Sequence, residues 1–315
     1  MSVRTLVAIA VGLQVFFFVL DLADRHLTRE LRYEGRSLKP RTVLFLSAVL
    51  LLYFAVQYGG FAVVPRTDEL IVGIGASWSA LLGRSPARET IAGPWLWLMI
   101  AAAFYVSGLW DYLAHRFLSH GRWMWFTHEY HHLPNQVFVG MPGLAARPFA
   151  VVTTFPVTVG TIVCTYAVLV GLGLPLWDLE PLKILLLVHV FVLTSSHSSC
   201  LRRWWWVHRV MRCFALTTPQ EHVLHHTVEL KGNYGNFTTL WDRLFGTYLN
   251  PALAKHQGLA LGLAYDQDFL GALTAGWIKL PARVRAYFQV DRYCNTAQDR
   301  QPSIGPSTRR TSIGP

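Results

Sequence analysis

Long apolar runs separated by short, strongly polar connectors dominate the chain. Leu6–Leu20 is the first, flanked by Arg4 and by Asp21, Asp24 and Arg25. No small-residue cleavage site follows it, so it is expected to be a retained helix, short for a full crossing unless its flanks contribute. Val43–Val64 predicts a second span, interrupted by Gln57 and Gly59-Gly60. Ile91–Leu113 predicts a third, with Pro94 near its start, where a missing N–H is tolerated. Phe149–Leu172 and Leu182–Thr194 predict a fourth and a fifth across the turn-rich segment 173–181. The fifth is short and has to continue through Ser195, Ser196 and His197 or re-enter. Glu69–Leu82 reads as amphipathic or partly buried, because Gly73, Gly75, Ser77 and Ser79 weaken it as a span. Ala260–Lys279, interrupted by Asp266, Gln267 and Asp268, predicts a peripheral or packed helix. The polar stretch Asn295–Pro315, with Ser-Ile-Gly-Pro twice, predicts a disordered tail.

The expected fold is therefore an all-α integral membrane protein, with about four to five transmembrane helices and a cytosolic, histidine-rich helical cap. It forms one membrane-embedded domain over 1–294, followed by the tail 295–315. Composition agrees: 52% of the residues are hydrophobic and 15% charged, against about 25% charged in soluble domains. The connector after the first run carries Arg25, Arg29, Arg32, Arg36, Lys39 and Arg41, a positive-inside signal that places it in the cytoplasm. Five crossings then bring the stretches after Leu113 and after His197, and the C-terminus, to that same side. The net charge of +10 sits beside apolar spans rather than along a polar groove. It points to anionic lipid, and no nucleic-acid partner is expected. Cys164, Cys200, Cys213 and Cys294 are scattered, which indicates neither a thiolate site nor a disulfide framework.

Histidine spacing carries the chemistry. His128-Glu-Tyr-His131-His132 and His222-Val-Leu-His225-His226 each place imidazoles at i, i+3 and i+4, one face of a helix. His115 and His120 are five apart, about 140° around an α-helix. They meet at one site only if the helix distorts between them, or if they address two metals. His197 can approach the same face. Eight or nine imidazoles exceed the roughly four ligands of one zinc ion, so a pair of irons is the favoured content, with zinc able to substitute. Asp111, Glu129, Glu221, Asn236 and Asp242 are candidates to orient these rings; Asp111 and Asp242 can instead pair with Arg116 and Arg243. His189, eight residues before His197 and about 12 Å from it along a helix, is either support for the site or a core imidazole. His208 lies beside Trp204-Trp205-Trp206, a membrane-interface run, and His26 and His256 read as headgroup-level polar residues. Phe104, Tyr105, Phe149 and Phe155 either line a substrate path or face lipid.

Taken in order, these motifs resemble those of the fatty acid hydroxylase superfamily, which includes sterol desaturases and alkylglycerol monooxygenase. The similarity covers roughly Trp110–Leu249 and extends beyond the histidines to Gly232-Asn-Tyr-Gly-Asn236-Phe and Trp241-Asp-Arg-Leu-Phe-Gly-Thr247. Leu193 stands where part of the family has a further paired histidine. The resemblance implies a membrane-bound non-haem di-iron oxidoreductase. Its metal ligands would be His115, His120, His128, His131, His132, His197, His222, His225 and His226. Its co-substrates would be O2 and external electrons. The chain shows no cytochrome b5-like segment and no dinucleotide fingerprint, so a separate reductase or electron carrier is the expected partner. The expected reaction is hydroxylation of a lipid, a fatty acyl chain or sterol, with desaturation as the alternative. A zinc-dependent lipid hydrolase and a non-catalytic membrane metal-binding protein fit less well. Oligomeric state is not specified by the sequence.

Overall fold

The computed structural model describes residues 1–24, 67–83, 89, 91–122, 124–133, 137, 157, 159–229, 231–265, 267–268, 270–271 and 277–288. Among these the fold is all-α, and its only β pairing is the isolated bridges Leu216–Thr238 and Thr227–Leu261. The span expected at Val43–Val64, the basic connector, Phe149–Pro156 with Phe155, His26, Cys294 and the C-terminal tail lie outside the described residues.

The first apolar run forms α1 (Val3–Ala23), started by Ser2, whose side chain accepts from the Thr5 N–H. Thr67–Leu81 forms α2, and Pro94–Leu113 forms α3 with Pro94 in its first turn. Gly160–Gly171 is α5 and Glu180–Ser196 is α6, with the short α4 (Trp125–His132) lying before them in the chain. The fifth apolar run thus does continue through Ser195 and Ser196 to His197. Two helical stretches among the described residues are long and apolar enough to cross a membrane, Arg4–Asp21 and Pro94–Ser119. They expose large apolar side chains, including Phe16 and Val19 on the first and Trp95, Trp97 and Leu98 on the second.

The core is where α3, α5 and α6 meet. Met99, Ala103 and Phe104 pack with Tyr166, Leu169, Leu182 and Leu185, all buried, and α2 leans on α5. Gly75 makes that lean possible, since a Cβ there would come within 2.6 Å of the Tyr166 ring. α1 packs along α6, and its buried Asp21 accepts from the Ser198 hydroxyl (2.6 Å) and from the N–H groups of Ser199 (3.2 Å) and Cys200 (3.1 Å). Those amides open the one-turn α7 (Ser199–Arg202), and Arg203 closes the contact on Asp24. The first helix therefore fixes the turn that leaves His197.

Beyond it come α8 (Trp205–Cys213), α9 (Pro219–His225) and α10 (Leu240–Leu244), then the short α11 (Ala282–Phe288). Residues 260–265 of the expected Ala260–Lys279 helix are bends and a bridge instead. Gly258 and Gly262 sit at positive φ (69° and 107°) and turn the chain there. Gln267 and Asp268 are buried and used in tertiary hydrogen bonds, and 270–271 are helical, while 266, 269 and 272–276 lie outside the described residues.

Candidate metal centre

The two HxxHH segments fold as short helices facing each other across the centre. α9 is started by a reciprocal capping box: the Thr218 hydroxyl accepts from the Glu221 N–H (3.2 Å), and the Glu221 carboxylate accepts from the Thr218 N–H (3.1 Å). Pro219 occupies the first turn. The helix is thus held rigidly just where His222 begins the motif.

The end of α3 supplies the distortion that His115 and His120 require. Ala114–Ser119 is π-helical, and the His120 N–H donates to the His115 carbonyl at 3.0 Å. In an i→i+5 turn, residues five apart stack as residues four apart do in an α-helix. The two rings lie 5.1 Å apart, centre to centre.

All nine histidines expected as ligands converge, in two groups. His115, His120, His128, His132 and His225 form one, and His131, His197, His222 and His226 the other; within each group the ligand nitrogens lie within 4.8 Å of one another. Each HxxHH motif is divided, its i and i+4 rings going to one group and its i+3 ring to the other. The groups abut, with His131–His226 and His132–His226 ring centres both 4.5 Å apart.

Backbone carbonyls decide which nitrogen of three rings is free. His115 Nδ1 faces the Tyr234 carbonyl (2.5 Å), His197 Nδ1 the Leu193 carbonyl (2.7 Å) and His225 Nδ1 the Gly232 carbonyl (3.0 Å). A carbonyl only accepts, so each of these Nδ1 atoms carries the proton and each Nε2 carries a lone pair. Those Nε2 atoms point at other imidazole nitrogens: His115 to His128 at 3.0 Å, His225 to His120 at 3.1 Å, and His197 to His222 at 3.0 Å. Burial, reinforced by the neighbouring imidazoles, holds His128, His132, His222, His225 and His226 well below the ordinary imidazole range, and His120 down to about 2. Neutral rings with converging lone pairs fit a pair of divalent cations, and their all-nitrogen character suits iron, zinc or a neighbour in the series.

Asp242 and Asp111 hold the backbone segment that carries the Tyr234 carbonyl, and Glu129 and Glu221 are engaged with side chains farther along the fold. Asp242 accepts from the Tyr234 and Gly235 N–H groups (both 2.8 Å) and from the Thr247 hydroxyl (2.7 Å). Burial raises its pKa, against these bonds. Asp111 accepts from the Asn236 N–H and side-chain amide, each at 2.8 Å. Neither aspartate pairs with Arg116 or Arg243. Arg116 donates to the Tyr112 hydroxyl (2.5 Å), and Arg243 lies over the Tyr248 ring and 3.5 Å from Glu221. Glu129 accepts from the Tyr265 hydroxyl (2.6 Å) and the Gln267 amide (3.0 Å), and Glu221 accepts from the Tyr248 hydroxyl (2.7 Å).

Sequence reasoning passed over Asn233. At φ 51° it occupies the left-handed region that asparagine tolerates, and its buried side chain bonds the Glu221 carbonyl (2.8 Å) and the Leu249 N–H (2.7 Å). Its place between Gly232 and Tyr234 was the available signal. His189 joins neither metal group. His208 supports the site indirectly, its Nδ1 lying 2.8 Å from the hydroxyl of Thr218 that caps α9. His256 is buried and satisfied, its Nδ1 2.7 Å from the Asn250 carbonyl.

The described residues thus form an all-α fold carrying nine histidines in two adjacent clusters, each able to chelate a metal ion. Over residues 100–247 the chain matches the fatty acid hydroxylase family, and that segment contains all nine histidines. No solved structure matches the chain.

Proposed function

We propose that this protein is a membrane-bound non-haem di-iron enzyme that hydroxylates a lipid, a fatty acyl chain or a sterol, with dioxygen. The observation that carries the reading is the five-plus-four division of converging imidazole nitrogens, which no single-metal site requires. Two bound irons would supply dioxygen activation and attack on an unactivated C–H bond. One oxygen atom enters the product and the other leaves as water, with two electrons and two protons drawn from a separate reductase or carrier.

The chain's own residues do the positioning. The carbonyls of Leu193, Gly232 and Tyr234 fix three tautomers, the buried imidazoles stay neutral, and the surrounding helices keep bulk water out. A zinc hydrolase would need a carboxylate free to act as general base at the metal. Glu129 and Glu221, the acids inside or beside the motifs, are committed to Tyr265, Gln267, Tyr248 and the cap of α9.

The membrane reading rests on Arg4–Asp21 and Pro94–Ser119. In it, the basic connector and the histidine centre face the cytoplasm, where a soluble electron carrier can dock. Iron-replete protein should contain two irons per chain by elemental analysis and anomalous scattering. With a reductant, lipid extract and labelled dioxygen, the product should gain one labelled oxygen. Loss of two hydrogens without added oxygen would make it a desaturase, and oxygen-independent release of a hydrolysis product would overturn the reading.

A further inference from the structure

His189 is a buried histidine of the helical core that neither metal group includes. It lies on α6, its side chain is buried, and neither ring nitrogen has a hydrogen-bond partner among the described residues. Phe104 of α3 stacks on the ring at 5.1 Å, and Phe237 of the 232–239 loop lies 4.3 Å from it, centre to centre. Aromatic side chains therefore pack against the ring, and a neutral imidazole still has one N–H to donate and one lone pair to fill. Leaving both unmet inside an apolar core is costly, so the ring is placed to meet a polar ligand.

Its position adds the second half of the argument. His189 precedes His197 by eight residues on one continuous helix, so it lies about 12 Å along the axis from the metal centre. The same loop that supplies Phe237 also supplies the Tyr234 carbonyl that orients His115. A lipid reaching the centre through the core formed by α3 and α6 would pass this ring edge.

We propose that His189 binds an oxygen function of the lipid substrate, a hydroxyl above all. This would hold a chain with its oxygen at His189 and its carbons extending toward the metals. The inference rests on the lipid-oxidising reading in taking the ligand to be a lipid. A hydroxyl and an ordered water offer the ring the same chemistry, and the experiment separates them.

The test is equilibrium binding of hexadecan-1-ol and of hexadecane to full-length, metal-loaded protein in detergent, held anaerobically without an electron donor so that no turnover occurs. The wild-type protein should prefer the alcohol by about tenfold, one buried hydrogen bond's worth. His189→Leu should bring the two affinities within about twofold while metal content stays unchanged, and His189→Gln, which keeps a donor and an acceptor, should restore part of the preference. Equal affinities in the wild type, as a resident water would give, would overturn the proposal, and so would a preference that survives in His189→Leu. Absence of oxidation in a separate turnover assay, with the alcohol preference intact, would remove the oxygenase reading and leave this one standing.

Discussion

At the scale of single residues, the centre separates imidazoles placed to hold metal from side chains that hold a peptide in place. Asp242 belongs to the second kind. Asp242→Ala would leave the buried N–H groups of Tyr234 and Gly235 without acceptors. Each such loss costs about 1–3 kcal/mol, so we expect metal-free protein to lose roughly 3 kcal/mol or more by denaturant unfolding. A normal unfolding midpoint in that variant would show that the loop closes without the aspartate. Among the rings, His197 is the member of the four-histidine group that comes from neither HxxHH helix. His197→Ala should lower bound iron, whereas Asn236→Ala, one bond further out, should retain most of it; elemental analysis reads both. The nine histidines were legible because i, i+3 and i+4 spacing is local geometry. Which carbonyl meets which Nδ1 was not, because Gly232 and Tyr234 reach the rings only after the 232–247 segment closes on Asp111 and Asp242.

At the scale of elements, the π-helical turn is the least expected piece. The sequence shows that His115 and His120 are out of phase on an α-helix; it does not show whether the helix or the metal arrangement gives way. The helix does, over Ala114–Ser119. Removing the exposed Phe117 would convert the spacing to i, i+4, which an ordinary α-turn brings to one face. That deletion should retain more metal than insertion of one alanine at the same place, which sets the rings six apart. Equal losses in the two variants would show that the π turn matters for something other than ring phase. α1 offers a second element-scale test, since Asp21 caps the turn that follows His197. Asp21→Ala removes three hydrogen bonds at that turn. It should destabilise the fold by about 1–3 kcal/mol and lower iron content with it, while Asp21→Asn should be milder.

At the scale of the molecule, apolar run length was enough to place α1, α3 and α6 within a few residues and the C-terminal end of α5, the first part of the run Phe149–Leu172 lying mostly outside the described residues. It was less informative after Gly258, where 260–265 are bends and a bridge although 270–271 are helical, and where tertiary bonds from Tyr265, Gln267 and Asp268 shape the chain. Membrane residence has a direct check: the full chain should stay with the bilayer through alkaline carbonate extraction, and a chain released to the supernatant would have its apolar helices packed as a soluble core.

The division of each HxxHH motif has one more consequence. Because α4 and α9 each hand rings to both clusters, neither cluster can adjust its helices without disturbing its neighbour. Filling one cluster should therefore prepare the other, and half-filled molecules should be scarce. Titrating metal-free protein with ferrous or zinc ion below saturation should give mainly empty and doubly loaded species in a native mass spectrum. A dominant singly loaded population at half-equivalence would mean that the two clusters fill as strangers.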